Sequence, residues 1–202
     1  METFRENLIK KLGKEGLAKV EKAKIGIAGT GGLGSNCALN LVRVGFKKLT
    51  IVDFDIVSAA NLDRQFYFLD QVGRVKVEAL RENLYRVNPD LELIICNKKI
   101  EKSNIKDLFT GYEIVAECLD SAENKSMLVN ELLALGKFIV AVSGLGGVGS
   151  SDEIKLYRIK PNFIIVGDLK SDISERPALS PRVNIAAAKQ ADVILDYVLN
   201  KP

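Results

Sequence analysis

Residues 24–55 read KIGIAGTGGLGSNCALNLVRVGFKKLTIVDFD, and this stretch decides the fold. The apolar run 24–28 has the composition of a buried parallel strand. It empties into Gly29-Thr30-Gly31-Gly32-Leu33-Gly34. Ser35 then stands where a helix N-cap is expected, and apolar residues recur at helical spacing through Ala38, Leu39, Leu41, Val42 and Val44. A second strand, 49–52, ends on Asp53, nineteen positions after Gly34. The glycines permit a tight turn and let the backbone approach a phosphate, while the helix N-terminus offers unpaired N–H groups and the positive end of its dipole. An acid at the tip of the second strand can accept hydrogen bonds from a ribose. Together these features predict an adenine-nucleotide site in the first half of the chain.

A bare glycine pattern would not suffice. Gly144-Leu145-Gly146-Gly147-Val148-Gly149 has the same G-x-G-x-x-G spacing and also comes after a strand-like run, 138–143. It leads into Ser150-Ser151-Asp152-Glu153 and an alternating strand pattern, not an amphipathic helix. The second match is therefore expected to be a loop or hairpin bend.

The chain has 202 residues, 47% apolar and 27% charged, which suits one domain spanning 1–202. No apolar run approaches the roughly 20 residues of a membrane span, and the first residues lack the continuous apolar block of a secretory signal. A net charge of +3, spread along the sequence, does not argue for nucleic acid. Cys37, Cys96 and Cys118 are far apart with no C-x-x-C pair, which argues against a structural zinc site and fits a reduced, cytoplasmic setting. Cys37 and Cys96 read as buried core residues, and Cys118 as strand core with no flanking cation to lower its pKa. There is no histidine, so His-based triads, bases and metal ligands are excluded. Chemistry that needs mainly positioning and charge neutralisation fits the remaining residues.

The rest of the chain reads as alternating elements. Residues 1–22 predict a polar helix broken near Gly13 and Gly16, and 55–74 an irregular stretch. A helix is expected over 75–87, stopped by Asn88-Pro89, then a strand at 91–96, a short helix from about Ser103 and a strand at 114–116. A helix over 123–135 ends at Gly136 before a strand at 138–142. Such alternation predicts a Rossmann-like α/β fold with a right-handed, doubly wound, mostly parallel sheet. From Ile154 the pattern suggests antiparallel strands added near the C-terminus. Residues 167–180 read as an exposed polar loop, and Pro181 opens a last helix.

On the glycine loop and Asp53 alone, the plain reading is a NAD(P)-dependent oxidoreductase. Further pieces favour ATP. Asp53-Phe54-Asp55 is followed by Asn61-Leu62-Asp63-Arg64-Gln65, by Gly73-Arg74-Val75-Lys76, and by Cys118-Leu119-Asp120 at a strand end. In an open parallel sheet these loops converge on one rim, bringing Asn, Arg, Lys and Asp to the glycine loop. A polyphosphate with magnesium requires such a set. Plainer alternatives stand beside it: Arg64 and Lys76 as solvated surface charges, Asp120 as a helix N-cap, and Asp55 as a structural loop cap.

The combination of GTGGLGS, DFDIVSAANLDRQ, GRVKVEAL and LDS, in that order over about residues 20–150, resembles the ubiquitin-activating-type adenylyltransferases. SGLGGVGSS and LSPRV look most like the short thiamine-pathway version of that family. The resemblance implies ATP-dependent adenylation of the C-terminal Gly-Gly carboxylate of a small ubiquitin-like sulfur carrier protein, with release of pyrophosphate. By position it implies that Gly29, Gly31, Gly32 and Gly34 line the ATP site and that Asp53 holds the ribose. Asn61, Arg64, Gln65 and Lys76 would contact the triphosphate, with Asp55 nearby, and Asp120 would bind Mg2+. It also implies a homodimer in which an N-terminal arginine serves the partner's site; Arg5 is the sole Arg candidate. Larger members carry two C-x-x-C pairs, absent here, and many carry a cysteine near a crossover loop, whereas 167–180 contains none.

Overall fold

The computed structural model describes residues 2–201. Its frame is a seven-stranded sheet: β1 (Lys24–Ala28), β2 (Lys48–Asp53), β3 (Glu92–Asn97), β4 (Ile114–Glu117), β5 (Phe138–Val142), β6 (Lys155–Lys160) and β7 (Phe163–Gly167). The strand order is β3-β2-β1-β4-β5-β7-β6. All neighbours run parallel except β6, which joins β7 antiparallel at the edge; β7 itself is parallel to β5.

Parallel pairing needs crossovers, and helices supply them. These are α2 (Gly32–Arg43), α3 (Lys76–Tyr85), α4 (Ile105–Phe109) and α5 (Ala122–Ala134), with α1 (Phe4–Lys22) before the sheet and α6 (Ser180–Asn200) after it. Because side chains alternate along a strand, one sequence feeds two layers. Ile25, Ile27, Leu49, Ile51, Ile114, Ala116 and Val140 join the core under α2, α3 and α6. Val52, Val115, Ile139 and Ala141 join a second core with Phe109 and Leu128 under α4 and α5.

Three expectations need correction. α2 begins at Gly32 with Gly31 at the N-cap, so Ser35 lies inside the first turn. Its hydroxyl donates to the Gly31 carbonyl at 2.7 Å and accepts from the Phe66 amide at 3.0 Å, fastening the helix to the irregular stretch instead of capping it. α1 is broken at Gly13 alone, which adopts φ 74° and ψ 165°. A straight helix would hold residues 5 and 21 about 24 Å apart. Arg5 Nε instead donates to Glu21 Oε1 at 2.9 Å, so the two arms fold back on each other. Cys96 is only half-buried, because β3 is an edge strand; Cys37 and Cys118 are buried.

Candidate nucleotide-binding cleft

The chain winds outward from β1 to β2 and β3, then returns to β4 on the other side, which makes the carboxyl ends of β1 and β4 a switch point. A cleft of about 1000 Å³ opens there. Gly29, Gly31, Gly32, Asp53, Asp55, Asn61, Arg64, Gln65, Lys76 and Asp120 all line it. Gly34 does not line it. Its role is packing: a Cβ there would overlap the Gly29 carbonyl, so glycine lets α2 spring directly from the loop. Gly29 has φ 92° and passes so near β4 that a Cβ would sit 2.8 Å from the Cys118 carbonyl oxygen. At Gly31 nothing lies within 3.9 Å of a Cβ, and the backbone there faces open space.

Asp53 secures the loop from below. Its Oδ2 accepts from the Thr30 amide at 2.6 Å and the Thr30 hydroxyl at 2.9 Å, and its Oδ1 from the Asp55 amide at 2.8 Å. Tyr67 adds a hydroxyl bond to the Thr30 carbonyl at 2.8 Å.

The two expected phosphate-binding cations, Lys76 and Arg64, reach the cleft already paired. Lys76, at the start of α3, is buried and donates to Asp55 Oδ2 at 2.9 Å. The solvated-charge alternative therefore fails for Lys76, and Asp55 acts as the partner of a buried ammonium. Arg64 is half-buried, with Nη1 on Asp63 Oδ1 at 2.7 Å and on the Ala60 carbonyl at 3.3 Å. Phosphate oxygens can replace these carboxylates as partners for both cations. Asn61 uses its carboxamide oxygen on the Ser58 amide at 2.9 Å. Gln65 presents a buried Oε1 with no hydrogen-bond partner among the described residues, an acceptor awaiting a donor.

Asp120 is exposed and caps no helix: Ser121 is the N-cap of α5, its hydroxyl accepting from the Asn124 amide at 3.2 Å. The Asp120 carboxylate instead accepts from the Ser121 amide at 2.8 Å and borders the cleft. No group of three or more acidic or thiol side chains is arranged to hold a metal among the described residues. A lone cleft carboxylate suits Mg2+ carried in by a polyphosphate, since that ion keeps water and phosphate ligands around one or two carboxylates.

Arg5 is not brought to this cleft. It lines a separate hollow of about 350 Å³ with Phe4, Glu21, Lys47 and Pro89. A role at its own chain's site is therefore ruled out by placement.

Other residues escaped the sequence reading. Lys98, Lys99 and Ile100 come directly after β3 and line the cleft beside Asp53; their place at a strand's carboxyl end was the available signal. Beneath the floor, the fully buried Glu117 accepts from Lys125 Nζ at 3.1 Å and from the Leu119 amide at 2.7 Å. Burial pushes this carboxyl up, against the pull of Lys125. Gln190 of α6 donates to the Glu117 and Val140 carbonyls at 3.0 and 2.7 Å, bridging β4 and β5. Burial pushes the Cys37 thiol up to about 12 and the Cys118 thiol well above the ordinary range, so neither is an activated nucleophile. No helix is long and apolar enough to cross a membrane among the described residues.

Residues 4–151 match the ThiF family, and the chain belongs to it. It is 31% identical over 152 residues to adenylyltransferase and sulfurtransferase UBA4 of Saccharomyces cerevisiae, covering 75% of this chain and 34% of that protein. The chain thus spans about a third of the length of the yeast relatives it matches. It is 27% identical over 195 residues to molybdopterin-synthase adenylyltransferase of Haemophilus influenzae, covering 93% of this chain and 79% of that one. Among solved structures, tRNA N6-threonylcarbamoyladenosine dehydratase TcdA of E. coli in complex with AMP superposes with a TM-score of 0.87 at 20% identity, covering 96% and 93% of the two chains. MccB of E. coli with ATP gives 0.78 at 18% identity, covering 98% and 64%.

Proposed function

We propose that this ThiF-family chain uses ATP to adenylate the C-terminal carboxylate of a small ubiquitin-like sulfur carrier protein ending in Gly-Gly, in the thiamine pathway, with release of pyrophosphate. The observation that carries this reading is the convergence of Arg64, Lys76 and Asp120 on a glycine loop that opens at Gly31. An NAD site needs the loop and Asp53 alone, and the single Arg that an NADP site adds for its 2′-phosphate does not account for Lys76 and Asp120 at the same rim. The curated relatives' names, which include two adenylyltransferases, support the same choice.

A terminal carboxylate is ionised at pH 7 and needs no general base, which suits a chain without histidine. One of its oxygens supplies the electron pair for the new bond to the α-phosphorus. The bond from that phosphorus to the bridging oxygen breaks, and its electrons leave with pyrophosphate. No proton moves. Arg64 and Lys76 release Asp63 and Asp55 to bind the phosphates, neutralising charge as it accumulates on the leaving group. Gly31 and Gly32 let the backbone approach the phosphates, Asp53 and Gln65 accept from nucleotide donors, and Asn61 lies beside the phosphate path. Asp120 would hold Mg2+, which would add positive charge to the polyphosphate.

The exposed side chains of Phe54, which lines the cleft, and of Ile56, Phe68, Leu69 and Val72 in the irregular stretch after β2 support a two-fold dimer. In that dimer Arg5 could serve only the partner's site, after leaving Glu21.

Intact mass spectrometry of a Gly-Gly carrier incubated with the protein, ATP and Mg2+ tests the reading. A carrier heavier by one adenylyl group is expected; an unmodified carrier together with tight NADH binding would overturn it. Asp120→Asn is expected to weaken Mg2+-dependent ATP binding and lower turnover more than tenfold. Turnover equal to the parent's would limit Asp120 to holding the Ser121 amide.

A further inference from the structure

Among the described residues, two that are not glycine adopt a left-handed backbone: Ser150 at φ 46° and Leu169 at φ 59°. Such a conformation is costly for residues with a Cβ and persists only where neighbours enforce it. Both residues are held by one buried ion pair. Arg182, two residues into α6, places Nη2 on Asp168 Oδ2 at 2.5 Å. Its Nη1 donates to the Gly149 and Ser150 carbonyls at 2.7 and 3.0 Å, and its Nε to the Leu145 carbonyl at 3.3 Å. Asp168 in turn accepts from the Lys170 and Ser171 amides, each at 2.8 Å, and from the Ser171 hydroxyl at 2.7 Å, which locks Leu169 between them.

The second glycine hexapeptide thereby acquires its purpose. It is a carbonyl-bearing loop wrapped around a guanidinium, and its glycines permit the wrapping: a Cβ at Gly144 would overlap the Asp168 carboxylate, and one at Gly146 would lie 2.6 Å from the Arg176 carbonyl oxygen. The Gly147 amide donates to the Pro177 carbonyl at 3.0 Å, and Gly147 bridges Ala178. Residues 168–178 are thus clamped against residues 143–150. The clamped segments wall the cleft on the side opposite Lys76, through Leu145, Leu169, Ser171, Ile173 and Ala178. That wall sets apolar Leu145, Leu169, Ile173, Pro177 and Ala178 among Ser171, Lys170 and Asp172, and it carries neither Arg64 nor Lys76.

We propose that Asp168 and Arg182 form a latch that shapes the channel for the carrier's terminal segment, and that they are positioning residues for the acyl substrate and not for ATP. This rests on the adenylation reading. The latch holds the strained Leu169 turn so that the wall stands ready before the carrier arrives, which lowers the ordering cost of binding an extended tail. Asp168 also stays charged: burial pushes its carboxyl up, but the Ser171 and Lys170 amides, the Ser171 hydroxyl and Arg182 outweigh this and hold it below the usual carboxylate range.

The test uses the full chain with Arg182→Lys, Asp168→Asn and the milder Ser171→Ala. Lys170 is exposed, so trypsin reports opening by cleavage after it, whereas cleavage after Arg176 is blocked by Pro177. Arg182→Lys keeps a charge for Asp168 but loses the planar fork that gathers the three carbonyls. It is expected to speed cleavage after Lys170 and raise the KM for a Gly-Gly carrier, each about tenfold, with the Kd for ATP within about twofold. Asp168→Asn should do the same, and Ser171→Ala should give a rise of about twofold in both. Unchanged cleavage in all three variants would remove the latch. Faster cleavage with an unchanged carrier KM would separate the latch from the substrate channel, and an equal loss of ATP and carrier binding would reduce it to general support; either result overturns the proposal. If the parent protein adenylates no carrier, the functional reading fails, while the cleavage comparison still decides whether the latch exists.

Discussion

The chain carries the same glycine spacing twice, at 29–34 and at 144–149, and the two copies have opposite fates. The first ends in the twelve-residue helix α2, with Gly31 as N-cap and an open cleft beside it. The second runs into left-handed Ser150 and a single 3-10 turn, Ser151–Glu153, and its carbonyls close around Arg182. One loop turns its amides toward space that an anion can enter. The other turns its carbonyls toward a buried cation. Spacing of glycines sets how tightly a chain can bend; the element that the loop runs into decides which backbone groups are left to bind something.

The largest effects that sharpen this contrast are catalytic. Arg64→Ala and Lys76→Ala, both beside the first loop, are expected to lower kcat/KM for adenylation by about 10²–10³-fold each. Gly149→Ala, in the second loop, should leave the same quantity within about twofold. A comparable loss from Gly149→Ala with a matching rise in the Kd for ATP would make both loops nucleotide elements and break the comparison.

Stability comes next. A Cβ at Gly34 would overlap the Gly29 carbonyl, so Gly34→Ala is expected to cost about 3 kcal/mol or more in urea unfolding. At Gly149, with φ 73° and nothing within 4 Å, alanine should cost only the left-handed penalty, about 1 kcal/mol. Equal costs would mean that the first loop is no tighter than the second. Gly31→Ala meets only Gln65 Nε2, at a comfortable 3.9 Å, so the melting temperature should hold, while a methyl on the open side of the loop should drop ATP affinity about tenfold in calorimetry.

The smallest effect is one of pH. Asp168 has a depressed folded pKa, so its contribution to stability is present above the unfolded carboxylate value near 3.9 and is lost as pH falls through the lower folded value. Amide exchange at Lys170 and Ser171, corrected for its intrinsic pH dependence, should therefore keep constant protection from pH 8 to pH 5. Protection lost already near pH 6 would show that Asp168 is not the group holding those amides.

The contrast also marks where the sequence is legible. Residues 24–55 are read from local signals: an apolar run, a glycine turn, a helical period and a terminal acid, all within one βαβ unit. The start of α2 is displaced because Ser35, a good cap by type, is drawn instead to the Gly31 carbonyl and the Phe66 amide. The hairpin of α1 was hidden because Gly13 and Gly16 look alike in sequence, yet only Gly13 leaves helical geometry. Lys76 reads as surface by type and is buried because Asp55 waits for it across 21 residues. Asp168 and Arg182 sit in a polar loop and a helix start, and nothing local announces that the pair gathers a loop thirty-odd residues upstream. Sequence patterns expose residues that are periodic or adjacent; partners joined only by the closed sheet stay silent.

The central claim is that the first loop, with Arg64, Lys76 and Asp120, activates a carboxylate with ATP. Exchange of labelled pyrophosphate into ATP tests it most directly, run with a Gly-Gly carrier and with the same carrier bearing a C-terminal amide. Exchange that requires the free carboxylate and collapses in Lys76→Ala is the predicted result. No exchange with either carrier, alongside tight NADH binding and no ATP binding, would contradict it.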